Sequence, residues 1–418
     1  MLALAMLFLT ACNTKPPVGT TPSGTQNGET PNHGQSADDW MEALQGKVVP
    51  SLGGGNAMLD LPSRVVFEGT TYLRGTIGGA LVDHKNYYYS KADGKVYLYC
   101  FDPLCEHTDC MASPDPLLGL MLDRVVLYNN RFYMATDYGQ LYSFSFDGTD
   151  RRLEYDLEYV FPPNSRFTIW NLSGSYGPYL YFKLYDGNSS GNKHILRYDL
   201  RTKTMEDLTE KTENYISPYY FYNGMIYGLD ENYLFAKSDL DLNTVEPLDY
   251  SVKGSYYMGN FCIDYEVDAK RNEIGIAFYN VETGEKTVLT NEELGLGYCP
   301  KIYYVTDEYI YFKDRERVFI GTFVMEKNDG TVMKEDVYSG NGKFYRMNLD
   351  GTNVVCVYEN PEYTFSKDMM IIDDKVIMQG QYLKVENGQK IFWGGPLQVA
   401  TINPDGTFGE FVAAEVLE

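Results

Sequence analysis

VVLYNNRFYMATDYGQLYSFSFDGTDRRLEY, residues 125–155, alternates apolar and polar positions in short runs separated by turn residues. Tyr142, Phe144 and Phe146 stand two apart, so as a strand they share one face and leave the intervening residues to the other. Asn129-Asn130 and Asp147-Gly148 are dipeptides that tolerate the left-handed backbone of tight hairpins. Two hairpins in this length make a four-stranded antiparallel unit.

The second hairpin of that unit has counterparts through most of the chain. Segments of the same cast begin at Val96 (VYLYCFDPLCEHTDC), Leu141 (LYSFSFDGTDRRLEY), Ile195 (ILRYDLRTKTMEDL), Leu234 (LFAKSDLDLNTVEPL), Ile276 (IAFYNVETGEKTVL), Phe344 (FYRMNLDGTNVVCVY) and Leu397 (LQVATINPDGTFGEFV). Their starts are 45, 54, 39, 42, 68 and 53 residues apart. Leu196, Tyr198 and Leu200 alternate as Tyr345, Met347 and Leu349 do, and turns follow at Thr283-Gly284, Asp350-Gly351 and Asp405-Gly406. A preceding strand pair is marked by Asn223-Gly224, Asp307-Glu308 and Asp373-Asp374. Four-stranded antiparallel blades recurring in this way predict an all-β chain folded as a β-propeller. Seven segments predict seven blades. Six or eight are the alternatives, because Asn260–Lys286 is weakly patterned and the 68-residue interval holds an insertion near Lys313–Lys343. Leu61–Tyr72 is the expected extra strand, closing the ring against the last blade. A pair of β-sandwiches is the alternative fold, but its strands would not recur in register. One short helix is expected, Ser36–Gln45, with Ser36 and Asp39 placed as a capping box.

Ahead of the repeats, Leu2–Leu9 (LALAMLFL) is an apolar run too short to span a bilayer and of the length of a signal-peptide core. It ends in Leu9-Thr10-Ala11-Cys12, which resembles the lipobox of bacterial lipoproteins. The resemblance implies that Cys12 is lipidated and becomes the new N-terminus. No Lys or Arg precedes the run, as expected if the start codon has been placed downstream of the true one. Asn13–Ser36 is dominated by Pro, Gly, Thr, Ser and Asn, with Val18 its only aliphatic residue, so it cannot bury enough surface to offset its conformational entropy. The expected organisation is a signal peptide over residues 1–12, a flexible tether over 13–55 and a propeller over 56–418, held by a lipid on the outer side of the cell membrane. No later stretch approaches the length of a second membrane crossing.

With 58 acidic against 35 basic residues, the net charge is −23. That charge repels nucleic acid and anionic membrane surfaces and suits a soluble envelope protein, expected as a monomer. Thirty-eight tyrosines beside 21 phenylalanines and three tryptophans are the compositional anomaly. Tyrosine is apolar along its ring and polar at its tip, which suits half-buried strands; the sharper reading is platforms for stacking on sugars.

No Trp-Asp dipeptide marks a WD repeat, and Gly78-Gly79 and Gly394-Gly395 are too few for kelch. Over Leu81–Val412, the loose pattern of tyrosines, turns and one cysteine cluster resembles the uncharacterised Tyr-rich propeller lipoproteins of Gram-positive bacteria, distantly similar to propellers of the Tol system and of LDL-receptor relatives. The resemblance implies a fold and a location, not an activity. The cluster is Cys100-Phe-Asp-Pro-Leu-Cys105-Glu-His107-Thr-Asp-Cys110. Its three thiols and imidazole have the ligand types of a structural zinc site. A disulfide is the rival chemistry in an exported protein, and free thiols are the third reading. Aligned on the other segments, Asp102 falls where Asp147 falls, so the cluster is expected at the outer hairpin turn of the first blade. Cys262, Cys299 and Cys356 are expected as buried free thiols.

The nucleophile elbow, the zinc-protease helix motif, the P-loop and the dinucleotide fingerprint are all absent, and catalytic residues are unassigned. His33 falls in the tether and His107 in the cluster, which leaves His84 and His194, each expected to satisfy a local hydrogen bond. Asp186–Gly191 opens like a calcium loop but reaches Arg197 at its twelfth position; it and Asp239-Asp241-Asn243 are expected to be turns. The function expected is that of a non-enzymatic binding or scaffold protein, holding an envelope protein or a carbohydrate on its channel face. The alternative is a carbohydrate-active hydrolase or lyase whose channel-facing carboxylates come from different blades.

Overall fold

A computed structural model describes residues 39–47, 49–50, 58–61, 63–72, 75–76, 82–99, 125–136, 140–156, 169–185, 193–248, 256–258, 260–306, 308–327, 329–360, 365–414 and 416–417. Its strands form seven antiparallel sheets and one separate hairpin. Blade 1 is Met58–Leu61, Arg64–Tyr72, Val82–Ser90 and Val96–Tyr99; blade 2 is Val125–Tyr128, Arg131–Ala135, Gln140–Phe144 and Arg152–Asp156. Blade 3 is Ile169–Tyr176, Tyr179–Tyr185, Lys193–Asp199 and Thr204–Asp207; blade 4 is Ile216–Tyr222, Met225–Asp230, Phe235–Asp239 and Val245–Pro247. Blade 5 is Tyr256–Met258, Phe261–Val267, Glu273–Asn280 and Lys286–Thr290. Blade 6 is Lys301–Val305, Tyr309–Lys313, Lys343–Asn348 and Val355–Glu359; blade 7 is Phe365–Ile372, Lys375–Glu386, Gln389–Thr401 and Val412–Ala413. The first strands of neighbouring blades touch, as in blades 2 and 3, 3 and 4, and 6 and 7, which sets them at the axis and the fourth strands at the rim.

Seven apolar clusters, one at each blade junction, close the ring. The last of them packs Met370 and Ile377 of blade 7 on Val65 and Phe67 of blade 1. Val416–Leu417 then pairs in parallel with Val96–Tyr99, so the end of the chain fastens blade 7 to blade 1. The fold is a seven-bladed β-propeller of four-stranded antiparallel blades, as the repeats predict.

The tyrosines explain how the blades stay in register with one another. Tyr176, Tyr181, Tyr198 and Tyr220 are among the largest fully buried side chains. The hydroxyls of the first three reach the backbone of the adjoining blade: Tyr181 donates to Leu240 O at 3.2 Å, Tyr198 to Glu154 O at 3.3 Å, and the Tyr176 hydroxyl accepts from Gly224 N at 3.0 Å. Tyr99 to Phe146 O at 2.7 Å and Tyr256 to Ile302 O at 2.7 Å repeat the device at other junctions. Each such residue combines the burial of a large ring, about 1.5–3 kcal/mol, with a hydrogen bond worth about 1 kcal/mol net. Among the described residues, most tyrosine rings are buried or half-buried in the packing of the blades.

Local turn chemistry matches the sequence. Asn129 and Asn130 both take positive φ, 47° and 57°, as a two-residue hairpin of the mirror-image kind requires. Asp147 accepts from the Ser145 hydroxyl at 2.6 Å, the Thr149 hydroxyl at 2.6 Å and the Thr149 N–H at 3.1 Å, which pulls its carboxyl down to about 2. Asp350 with Thr352 and Asp405 with Thr407 copy the arrangement.

Several expectations are corrected. Arg64–Tyr72 is the second strand of blade 1, not an extra strand that closes the last blade; closure falls to Val416–Leu417. Val96–Tyr99 is the rim strand of blade 1, where every other repeat segment is a third strand. The true counterpart of Asp147-Gly148 is Asp93-Gly94: Asp93 accepts from Lys95 N–H at 3.1 Å, and Gly94 has φ 71° beside 72° for Gly148. The cysteine cluster expected at that turn, Cys100 to Cys110, lies outside the described residues. The helix is Asp39–Leu44; a second, Leu208–Thr212, is capped by Asp207, whose side chain accepts from Glu210 N–H at 2.9 Å. Asn260–Lys286 is a fully formed part of blade 5, and the insertion in blade 6 is the hairpin Arg317–Glu326 with Val332–Gly340.

Candidate functional site

The antiparallel blades sort the connections between two faces of the ring. Turns from first to second strand, such as 177–178 and 223–224, lie on one, here the turn face. Connections from second to third strand and from one blade to the next lie on the other, the loop face.

Residues placed by the sequence in the tether pack on the turn face. Trp40 meets Tyr176 and Tyr179 edge-on, with centroids 5.5 and 5.7 Å away, and lies over Gly177, where a Cβ would collide with the indole. Gly46 N–H donates to Asn223 Oδ1 at 2.8 Å. Val49-Pro50 then pairs with Phe221 and Tyr220 on the axial edge of blade 4. The chain thus enters the ring from the turn face, and at blade 4 the channel edge expected to receive a ligand is taken by the protein itself.

The loop face is built up over blades 6, 7 and 1. The inserted hairpin of blade 6 leans on the long hairpin of blade 7: Val324 N–H donates to Gly388 O at 2.8 Å, and Gly321 lies against Val385. Gly75–Thr76 of blade 1 adds to the same hairpin at Ile391–Phe392. Between the two hairpins lies a cleft of about 550 Å3, within the size range of small-molecule sites. Its lining combines Lys301, Lys313, Arg315 and Arg317 with Asp314, Glu316, Glu335 and Asp336, and with the rings of Tyr303 and Tyr338.

Strand pairing brings the cations together. Lys301 opens the first strand of blade 6 and stands directly opposite Lys313, the last residue of the second. Lys313 is only 5% exposed, against the ring of Phe344 at 5.3 Å; burial, and then the charge of Lys301, lower its pKa to about 8. Arg315 pairs with Glu273 of blade 5, and Lys390 with Glu335 at 2.8 Å. The Asn341 amide donates to Asp314 at 3.3 Å and Glu316 at 3.1 Å.

Exposed apolar side chains follow the same asymmetry. Among the described residues, all the exposed large hydrophobics but Met41, Leu153 and Val412 lie on the loop-face connections, beside them or on the inserted hairpin. Tyr233 at 71%, Phe319 at 54% and Tyr298 at 52% are examples from blade 4, the insertion and the link between blades 5 and 6.

Cys12, Cys100, Cys105, His107 and Cys110 all lie outside the described residues, as does 186–192 with the calcium-like loop. Cys262 and Cys299 are buried free thiols, whereas Cys356 is exposed. Burial pushes the Cys262 thiol up to about 12, so it is inert. His194 Nδ1 lies 2.7 Å from Asp207 Oδ2, and Asp239 accepts from Asp241 N–H and Asn243 N–H as a turn does. The cleft residues escaped the sequence reading; their one signal was the alternating run Lys313-Asp-Arg315-Glu-Arg317 at the start of a segment with no place in the repeat.

No known family matches the sequence, and no curated protein matches it. Among solved structures the chain is similar to the β-propeller domain of the Trilobed protease from Pyrococcus furiosus, at 8% identity over 86% of this chain and 95% of that one, with a TM-score of 0.39. It is also similar to YCF48 bound to D1 peptide, at 11% identity over 82% and 99% with a TM-score of 0.36. The tricorn protease is matched at 12% identity and a TM-score of 0.25, over 86% of this chain but only 38% of that one. Similarity at this level adds nothing to what the strand ladders and junction clusters establish: the chain is a seven-bladed β-propeller, a fold consistent with a binding or scaffold role.

Proposed function

We propose that this protein is an extracytoplasmic, lipid-anchored binding or scaffold propeller, which holds an envelope protein or a glycan on its loop face. The observation that carries the reading is the concentration of exposed aromatic and aliphatic side chains on that face, opposite the face on which residues 39–50 dock. Exposed apolar surface costs a free protein solubility and favours association, so its confinement to one face marks a contact surface. A chain that leaves from the turn face to a lipidated Cys12 would turn the loop face away from the membrane. Support for the anchor comes from the lipobox resemblance and from the resemblance to Tyr-rich propeller lipoproteins.

The test is site-specific photo-crosslinking in cells, with the reactive residue at Tyr298 or Tyr233 on the loop face and at Asn130 on the turn face. Adducts to an envelope protein or glycan are expected from the loop-face positions alone. Adducts arising equally from Asn130, or none from either loop-face position, would refute the reading.

A further inference from the structure

We propose that the cleft between the inserted hairpin of blade 6 and the long hairpin of blade 7 binds a saccharide carrying a carboxylate or phosphate group. This names the ligand class of the loop face and rests on the reading of that face as the binding surface.

Lys301 and Lys313 face one another across a strand pair, a placement in which like charges weaken the ladder. Lys313 brings its positive charge to the cleft lining at 5% exposure. An anion seated between the two turns their mutual repulsion into attraction. Arg317 stands in the same lining with a planar, bidentate donor set suited to a carboxylate or phosphate.

The carboxylates decide between a saccharide and an acidic peptide. Asp314, Glu316, Glu335 and Asp336 share the lining, and they would repel a chain of repeated negative charges. Sugar hydroxyls, in contrast, are donors. Each carboxylate has about four lone-pair sites, so those of Asp314 and Glu316 can accept from a sugar while still holding the Asn341 amide. Tyr338 is 46% exposed and braced edge-on by Phe319 at 5.8 Å, which offers a fixed ring face for stacking. A cationic pocket with hydroxyl acceptors around it and an aromatic wall matches a polyhydroxylated ligand with one anionic group per contact.

The experiment is isothermal titration of the protein beginning after Cys12 with a trisaccharide carrying a single galacturonic acid residue, with a mannose trisaccharide carrying a single phosphate, with neutral maltotriose and with a hexaglutamate peptide. At least one acidic saccharide is expected to bind about tenfold or more tightly than maltotriose or hexaglutamate, as one charge-assisted hydrogen bond accounts for. Which of the two binds identifies the anionic group, and its affinity should fall as salt is raised. Lys301 is exposed, so Lys301→Gln leaves the fold intact and should cost about tenfold, with Tyr338→Ala weakening both the acidic and the neutral sugar. Equal binding of maltotriose, tighter binding of hexaglutamate, or an unchanged affinity in Lys301→Gln overturns the proposal. If loop-face crosslinks persist while no acidic saccharide binds, the ligand class alone fails; if the crosslinks fail as well, the loop-face reading falls with it.

Discussion

Replacing Lys313 with methionine isolates the cost of keeping an ammonium group at the floor of the cleft. Burial, and secondarily Lys301, hold its pKa at about 8 against an ordinary 10.5. An unfolded chain keeps the proton up to the ordinary value, so above pH 8 the unfolded state binds more protons than the folded one, and stability rises with pH. Below pH 8 the penalty is fully present and amounts to about 3 kcal/mol. Methionine fills nearly the same space without the charge. At pH 7 the variant is therefore expected to be more stable by about 3 kcal/mol, and by pH 9 the gap should narrow by about 1 kcal/mol as the parent sheds the proton. The buried thiols of Cys262 and Cys299, with pKa values raised to about 12 and about 11, titrate with the opposite sign but are common to both proteins and cancel in the difference. Urea denaturation at the two pH values measures the gap. A gap that is constant or widens with pH refutes the account of a buried, charged lysine, as does a variant less stable than the parent at pH 7.

Trp40→Ala removes the ring that lies on Gly177, and two edge-on aromatic contacts of about 0.5–1.5 kcal/mol each go with it. Limited proteolysis should then cut within 39–50 while the blades remain intact, and Gly177→Ala should give the same pattern; unchanged protection would show that the docked segment does not depend on this contact. Asp147→Asn tests the rim turns. With its carboxyl held near 2 by the Ser145 and Thr149 hydroxyls, Asp147 stabilises above its ordinary 3.8 and loses that contribution as pH falls toward 2. The asparagine variant should be less stable at pH 7 and lose less between pH 4 and pH 2 by urea denaturation; parallel losses would contradict the assignment.

Most of the ring was legible because its signals are local. Alternating residues such as Leu196 and Tyr198, followed by a turn two or three residues on, specify a strand and its end without reference to distant parts of the chain. Blade 1 was misread for the same reason. In Val82–Ser90, Asp83, His84 and Lys85 break the alternation, while Val96–Tyr99 alternates well, so local patterning points to the rim strand as the third. Only pairing of Asn86 with Tyr99 and of Met58–Leu61 with Arg64–Phe67 sets the order.

Period-two patterning and turn chemistry were enough to specify an all-β chain of four-stranded units and to count seven of them, because each is enforced by backbone sterics over a few residues. The cleft could not be found that way. It exists because a strand ladder sets Lys301 against Lys313 and because an insertion in blade 6 folds onto a hairpin of blade 7, more than sixty residues away along the chain at Val324 and Gln389. Closure by Val416–Leu417 and the docking of Trp40 between Tyr176 and Tyr179 are likewise contacts between distant segments. Their energies depend on the assembled ring, which no local pattern encodes.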